Sequence, residues 1–141
     1  MKRSASAVWR GGIKDGKGAL TSGSGVLKET PYSFASRFGE EKQTNPEELI
    51  AAAHAGCFAM ALSKVLGDAG HPPARLDAKA DVTLEQVDGN WTITNVHLTL
   101  TGDVPGIEAA GFQKAAEGAK ANCPVSRLLK AEITLDARLG G

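Results

Sequence analysis

The chemistry open to this chain rests on two cysteines. Cys57 lies in an alanine-rich apolar stretch, and Cys123 stands directly before Pro124. As a thiolate, cysteine attacks peroxides, carbonyls and disulfides; as a thiol it is a small hydrophobe. An ordinary thiol titrates near about 8.5, and burial raises that value. A helix dipole gives little relief at a mid-helix position, because its influence fades within the terminal turns. A reactive Cys57 therefore needs a cation brought from elsewhere. Lowering its pKa by about two units takes about 2.7 kcal/mol, and a guanidinium at about 4 Å offers about 4 kcal/mol before desolvation is subtracted. Cys123 is set differently. Before a proline at a helix start, free N–H groups favour an anionic sulfur. No C-x-x-C pattern links the two, and spacing alone leaves their proximity open. Each also has a bland role, Cys57 as core filler and Cys123 as a plain helix cap.

Other candidates carry less. His54 stands three residues before Cys57, on the same helical face, and reads either as a base or as a buried structural histidine. The structural role is preferred. His71 and His97 look incidental. A zinc site from His54, Cys57, Cys123 and another histidine lacks a second close ligand pair, so no metal is expected. Glu47 and Glu48, by position alone, are acids at a helix start. The glycines at 11, 12, 16, 18, 23 and 25 complete no phosphate-binding pattern, and no cofactor is expected.

These residues need elements to hold them. Segments 4–9 and 18–22 alternate as short strands around Asp15-Gly16, a turn-forming dipeptide, and 32–38 reads as a third strand. Thr44-Asn45-Pro46-Glu47-Glu48 predicts a helix start, with a cap, a proline in the first turn and acids behind it. That helix should run to about Leu66 and end near Gly67 or Gly70. Ala78, Ala80, Val82 and Leu84 alternate with polar residues as a strand. Asp88-Gly89 then turns the chain into a partner from Trp91 to about Thr101. A helix over about 107–121 presents Phe112, Ala115, Ala116 and Ala119 on one stripe, and Cys123-Pro124 opens a short one. A last strand carries Ala131, Ile133, Leu135 and Ala137 on one side. The order is α+β with mostly antiparallel sheet. The 141 residues suit one domain, 1–141, with N-terminal strands over about 1–43 and a helix–sheet remainder over about 44–141.

The long helix is apolar on most of its circumference and carries little side-chain bulk, at Ala51, Ala52, Ala53, Ala55, Gly56, Ala59 and Ala61. Such a helix must be covered on most sides, and a second copy of the chain is the expected cover. The balanced charge, sixteen acids against sixteen Lys and Arg, argues against nucleic-acid and anionic-membrane partners. The longest uncharged run, 49–63, falls short of the roughly 20 residues that span a bilayer. Met1-Lys2-Arg3-Ser4-Ala5 leads into an alternating segment and not an apolar one, so the expected compartment is the reducing cytosol. There, paired cysteines more often serve a redox cycle than a permanent cross-link.

The stretch from Arg37-Phe38-Gly39-Glu40 through Thr44-Asn45-Pro46-Glu47-Glu48-Leu49 to His54-Ala55-Gly56-Cys57-Phe58 resembles the OsmC/Ohr family of organic hydroperoxide reductases. Ser24-Gly25-Val26-Leu27, Asn122-Cys123-Pro124-Val125-Ser126 and Leu129-Lys130-Ala131-Glu132-Ile133 also match. The likeness covers essentially the whole chain, and its first half is closer to OsmC proper than to the Ohr branch. The resemblance implies an intertwined homodimer with a long central buried helix and with active sites at the subunit interface. It implies Cys57 as peroxidatic and Cys123 as resolving cysteine, closing a disulfide. It implies Arg37 as the catalytic arginine and Glu47 as the acid that holds it. In the Ohr branch the arginine falls in the first hairpin turn, where this chain has Lys14-Asp15-Gly16.

The implied activity is reduction of organic hydroperoxides, and of hydrogen peroxide less efficiently, in oxidative or osmotic stress. A dithiol, such as a lipoylated protein, would serve as reductant. Glu47 and Cys57 are ten residues apart, about 15 Å along one straight helix, so either the partner subunit contributes to the Arg37–Glu47 pair serving Cys57 or the helix start bends back. A non-catalytic dimeric module that binds an apolar ligand is the alternative. A cysteine acyl-transfer enzyme using Cys57 and His54 is a third reading.

Overall fold

In a computed structural model, residues 1–140 are described. They divide into two compact units, 1–49 and the described residues from 50 onward.

The first unit holds a three-stranded antiparallel sheet in the order β1(Ala5–Arg10), β2(Lys17–Ser22) and β3(Thr30–Tyr32). Arg10 pairs with Lys17, so the connection between β1 and β2 spans six residues and not a tight turn at Asp15-Gly16. Gly16 sits where a side chain would strike the Gly12 carbonyl and the Trp9 ring. The third strand is shorter than its sequence suggests. The expected strand over 32–38 is instead largely a helix, α1(Phe34–Phe38). The cause is a reciprocal cap. Ser33 Oγ accepts from the Ser36 N–H at 3.1 Å, and Ser36 Oγ accepts from the Ser33 N–H at 2.8 Å. Phe34 and Phe38, whose type suggested a strand, stand one helical turn apart with ring centroids at 4.8 Å.

The long helix α2(Pro46–Asp68) begins as the sequence predicts. Asn45 Oδ1 accepts from the Glu48 N–H at 2.8 Å, and Pro46 occupies the first position. It ends on Gly70, whose φ of +85° lies in the left-handed region that favours glycine. The His71 N–H returns to the Leu66 carbonyl at 2.8 Å and the Gly70 N–H to Gly67 at 3.0 Å, the double bond pattern of a helix closed by glycine. By length and composition alone α2 could cross a membrane, but Phe58, Leu62 and Leu66 on it are fully buried in a protein core.

The second unit runs from Ile50, with the rest of α2, and is built on the sheet β4(Arg75–Val87), β5(Asn90–Asp103) and β6(Glu132–Gly140). β4 and β5 pair antiparallel through a two-residue turn in which Asp88 and Gly89 have φ of 50° and 80°. β5 and β6 pair in parallel, so a crossover joins them: α3(Ala109–Asn122) followed by α4(Pro124–Leu128). Val96, Leu98, Leu100 and Gly102 of β5 are buried, a single parity, so one sheet face is the core face. Phe58, Leu62 and Leu66 of α2 and Phe112, Ala116 and Ala119 of α3 fill that core.

At Gly102 the strand lies close against the Phe112 ring of α3. A methyl group there would stand 2.7 Å from two ring carbons of Phe112. Gly102→Ala should cost about 1–3 kcal/mol through overpacking. In a Phe112→Leu background the same change should cost less, as denaturant midpoints of the four proteins will reveal.

Candidate active site

Three elements bring the two cysteines together. Cys57 occupies the middle of α2, and Cys123 ends α3 and caps α4. Both are free thiols, Cys123 buried and Cys57 half-buried. The Cys57 sulfur interacts with the Cys123 thiol and accepts from the Val125 N–H. Burial pushes the Cys57 thiol up, the adjoining Cys123 pushes the same way, and the Val125 N–H opposes them.

Cys123 departs from its simple helix-start picture. Its N–H closes α3 on the Ala119 carbonyl at 2.9 Å, while its sulfur accepts from the Ser126 N–H at 3.4 Å at the start of α4. It therefore faces the negative end of a 14-residue helix as well as the positive end of a five-residue one. The Ser126 hydroxyl lies 3.3 Å from the same sulfur. On its other side Ser126 Oγ meets His54 Nε2 at 2.7 Å. His54 is fully buried, and its Nδ1 has no hydrogen-bond partner. Burial holds its pKa below the ordinary imidazole value.

Within the first unit, Arg37 and Glu47 form the expected pair. Arg37 Nη2 donates to Glu47 Oε1 at 2.7 Å, and Nε donates to both carboxylate oxygens at 3.2 Å. This fork geometry fixes the guanidinium plane. Glu47 is nearly buried and the Arg37 side chain about a third exposed. A network holds the two elements that carry them. Ser36 Oγ donates to the Thr44 carbonyl at 2.8 Å, and Asn45 Nδ2 donates to the Ser36 carbonyl at 3.0 Å. The Arg37 guanidinium carbon also lies 5.2 Å from the centre of the Phe38 ring. Beside Arg37 opens a cleft of about 250 Å³ whose lining includes Trp9, Ile13, Tyr32, Phe34 and Phe38. Its walls are mostly apolar, with Arg37 as a cation among them.

Arg37 thus meets Glu47, and Cys57 meets Cys123; the first pair belongs to one unit and the second to the other. Glu48 is exposed and accepts from Thr44 Oγ1, as a helix-start acid does. Among the described residues no three His, Cys, Asp or Glu side chains gather as metal ligands. Residue type and spacing alone do not mark Ser126 as functional. Its signal was its place three residues after a capping cysteine, where a side chain turns back to the cap.

Residues 39–138 match the model of the OsmC-like proteins. The chain belongs to that family. Peroxiredoxin OsmC of Escherichia coli is 53% identical over 139 residues, covering 99% of this chain and 97% of that protein. The organic hydroperoxide resistance protein of Xanthomonas axonopodis pv. citri is 32% identical over 111 residues, covering 78% and 75%. Among solved structures, the organic hydroperoxide resistance protein OhrB of Bacillus subtilis superposes with a TM-score of 0.72 at 26% identity, covering 97% of this chain and 98% of that one. An organic hydroperoxide resistance protein of Elizabethkingia anophelis reaches 0.76 at 26% identity, covering 100% and 98%. The α+β class read from the sequence is the fold of this family.

The buried imidazole sets a pH dependence of stability. With its folded pKa lowered, His54 stays neutral while the unfolded chain takes up a proton as pH falls through about 6.5. The stability that His54 contributes is therefore present above about 6.5 and lost on acidification toward its folded value. His54→Gln should remove that part of the slope, as urea midpoints between pH 7.5 and pH 5 will measure.

Proposed function

We propose that this chain is a cysteine-based peroxidase of organic hydroperoxides, acting through a Cys57 sulfenic acid and a Cys57–Cys123 disulfide. The single observation that carries the reading is the contact between two free sulfurs from separate elements, one with a backbone N–H aimed at it. The names of the relatives, a peroxiredoxin and organic hydroperoxide resistance proteins, support the same chemistry.

In this mechanism the Cys57 thiolate attacks the outer peroxide oxygen. The O–O bond breaks, the sulfur is oxidised to sulfenic acid, and the alkoxide leaves and takes a proton as alcohol. The Cys123 sulfur then attacks Cys57, the S–O bond breaks and water departs, which intercepts Cys57 before over-oxidation. A dithiol, in our reading a lipoylated protein, returns both thiols by exchange. Arg37 is assigned to hold the Cys57 thiolate and to donate to the departing oxygen. Glu47 alone beside a thiolate would raise its pKa; its role is to orient the guanidinium. The cleft beside Arg37 takes the alkyl chain.

The active form in this proposal is a homodimer. Met60 is 77% exposed and Val65 41% exposed on the same long helix, and a second copy would cover them. Cys57 stands ten residues beyond Glu47 on α2, about 15 Å of helical rise, so the Arg37–Glu47 pair serving it comes from the partner. The compartment we assign is the cytoplasm, and the service is defence in oxidative or osmotic stress.

Mixing tests the shared site. Cys57→Ser and Arg37→Met chains, each inactive alone, should regain about a quarter of wild-type activity after random reassortment, because half of the dimers then hold one complete site. No recovery would restrict Arg37 to its own chain's cysteine.

Thiol counting tests the chemistry. One equivalent of cumene hydroperoxide should remove both thiols per chain, with the disulfide found by peptide mass mapping. Cys57→Ser should abolish turnover. Cys123→Ser should consume one equivalent to reach the Cys57 sulfenic acid and a second to reach sulfinic acid, with no disulfide. A chain that binds cumene hydroperoxide without losing thiols would be the apolar-ligand module instead.

A further inference from the structure

The mechanism above leaves one buried chain of polar atoms without a part. It runs from His54 Nε2 to Ser126 Oγ at 2.7 Å and from Ser126 Oγ to Cys123 Sγ at 3.3 Å. His54 and Cys123 are fully buried and Ser126 is 9% exposed. Maintaining it is costly, because His54 Nδ1 is left unpaired in the interior. An apolar side chain in place of the imidazole would carry no such penalty.

We propose that His54 and Ser126 form a proton relay that ionises Cys123 for its attack on Cys57. The inference rests on the peroxidase reading and assigns roles within its second step. In the resting state the Ser126 hydroxyl donates to His54 Nε2, and its oxygen accepts the Cys123 S–H. As the Cys123 sulfur attacks the Cys57 sulfenic acid, its proton passes to Ser126 while the Ser126 proton passes to Nε2. The S–S bond forms and the Cys57 S–O bond breaks. The departing hydroxide then takes a proton back from the imidazolium through the relay and leaves as water. The hydroperoxide already consumed is the only oxidant.

The surroundings suit this traffic. Burial keeps the imidazole neutral, and so able to accept, at neutral pH. The titratable groups in contact with the relay's sulfur end are Cys123, which meets the Ser126 hydroxyl, and Cys57, which meets Cys123. Burial is the cause that lowers His54, with no carboxylate or cation entering the balance. The imidazolium formed in transit has the new thiolate as its counter-charge, across one hydroxyl. His54 and Ser126 act on Cys123 and not on the peroxide, so they are positioning and relay groups.

The test follows the two steps separately. Reduced full-length wild type, Ser126→Ala and His54→Gln are mixed with one equivalent of cumene hydroperoxide across pH 5.5 to 9. Dimedone traps the sulfenic acid, and mass spectrometry counts the disulfide. In both variants disulfide closure should slow by roughly a hundredfold at neutral pH, the scale of lost general base assistance. The Cys57 sulfenic acid should persist as its dimedone adduct, and a second equivalent of hydroperoxide added without dimedone should carry it to sulfinic acid. Closure should also lose the wild-type inflection below pH 7 and rise about tenfold per pH unit, as an unassisted thiol does.

A merely structural role for His54 would alter rates without changing that profile. Ser126→Ala, which removes only a hydroxyl, decides the matter if His54→Gln is unstable. Closure at the wild-type rate with an unchanged pH profile in Ser126→Ala overturns the relay alone. A wild type that loses no thiols overturns the peroxidase reading as well.

Discussion

The contact between two sulfurs inside a packed core is the constraint from which the rest of the site follows. A sulfur in the middle of a helix gains nothing from the helix ends, and burial works against its ionised form. The Val125 N–H is the local group that favours charge on Cys57, and it exists because Pro124 and the Cys123 cap start a fresh helical turn there. The corner between α3 and α4 thus supplies a second sulfur, a backbone donor and the Ser126 hydroxyl from four consecutive residues. Phe112, Ala116 and Ala119 anchor that corner to the sheet.

The Arg37–Glu47 pair is built by a different strategy. Its side chains come from two helices joined by a short loop, and their relation is set by hydroxyl and amide groups and not by bulk. Ser33 and Ser36 cap α1 and tie it to Thr44, while Asn45 caps α2 and reaches back to the Ser36 carbonyl. A long cationic side chain has many rotamers to lose. Two-pronged pairing with a nearly buried carboxylate, together with the Phe38 ring, restricts it.

What could be read from the sequence was what local rules govern. Alternation gave β4, β5 and β6, Asp88-Gly89 gave the tight turn, and Asn45-Pro46-Glu47-Glu48 gave the helix start, because each depends on residues a few positions apart. The strand expected over 32–38 failed for a local reason too: Tyr32, Phe34 and Phe38 suggested a strand by type, but the Ser33–Ser36 cap turned the chain helical. Asp15-Gly16 resembled a two-residue turn, yet the Arg10–Lys17 pairing left six residues between the strands. The pairing of Arg37 with Glu47 came from family resemblance, and no spacing rule would have supplied it. Ser126 lies beyond local rules because its significance depends on His54, seventy-two residues away in sequence.

The parallel pairing of β6 gives the corner at Cys123 a place in the order of assembly. The β4–β5 ribbon closes through two residues, so its long ladder forms at small entropic cost. β6 joins it only after the whole crossover from α3 through α4 has been laid down and folded back. The segment bearing Cys123 lies inside that crossover, while Cys57 arrives on a helix that precedes the ribbon. The two sulfurs therefore meet across a contact of long sequence separation that no local turn can close.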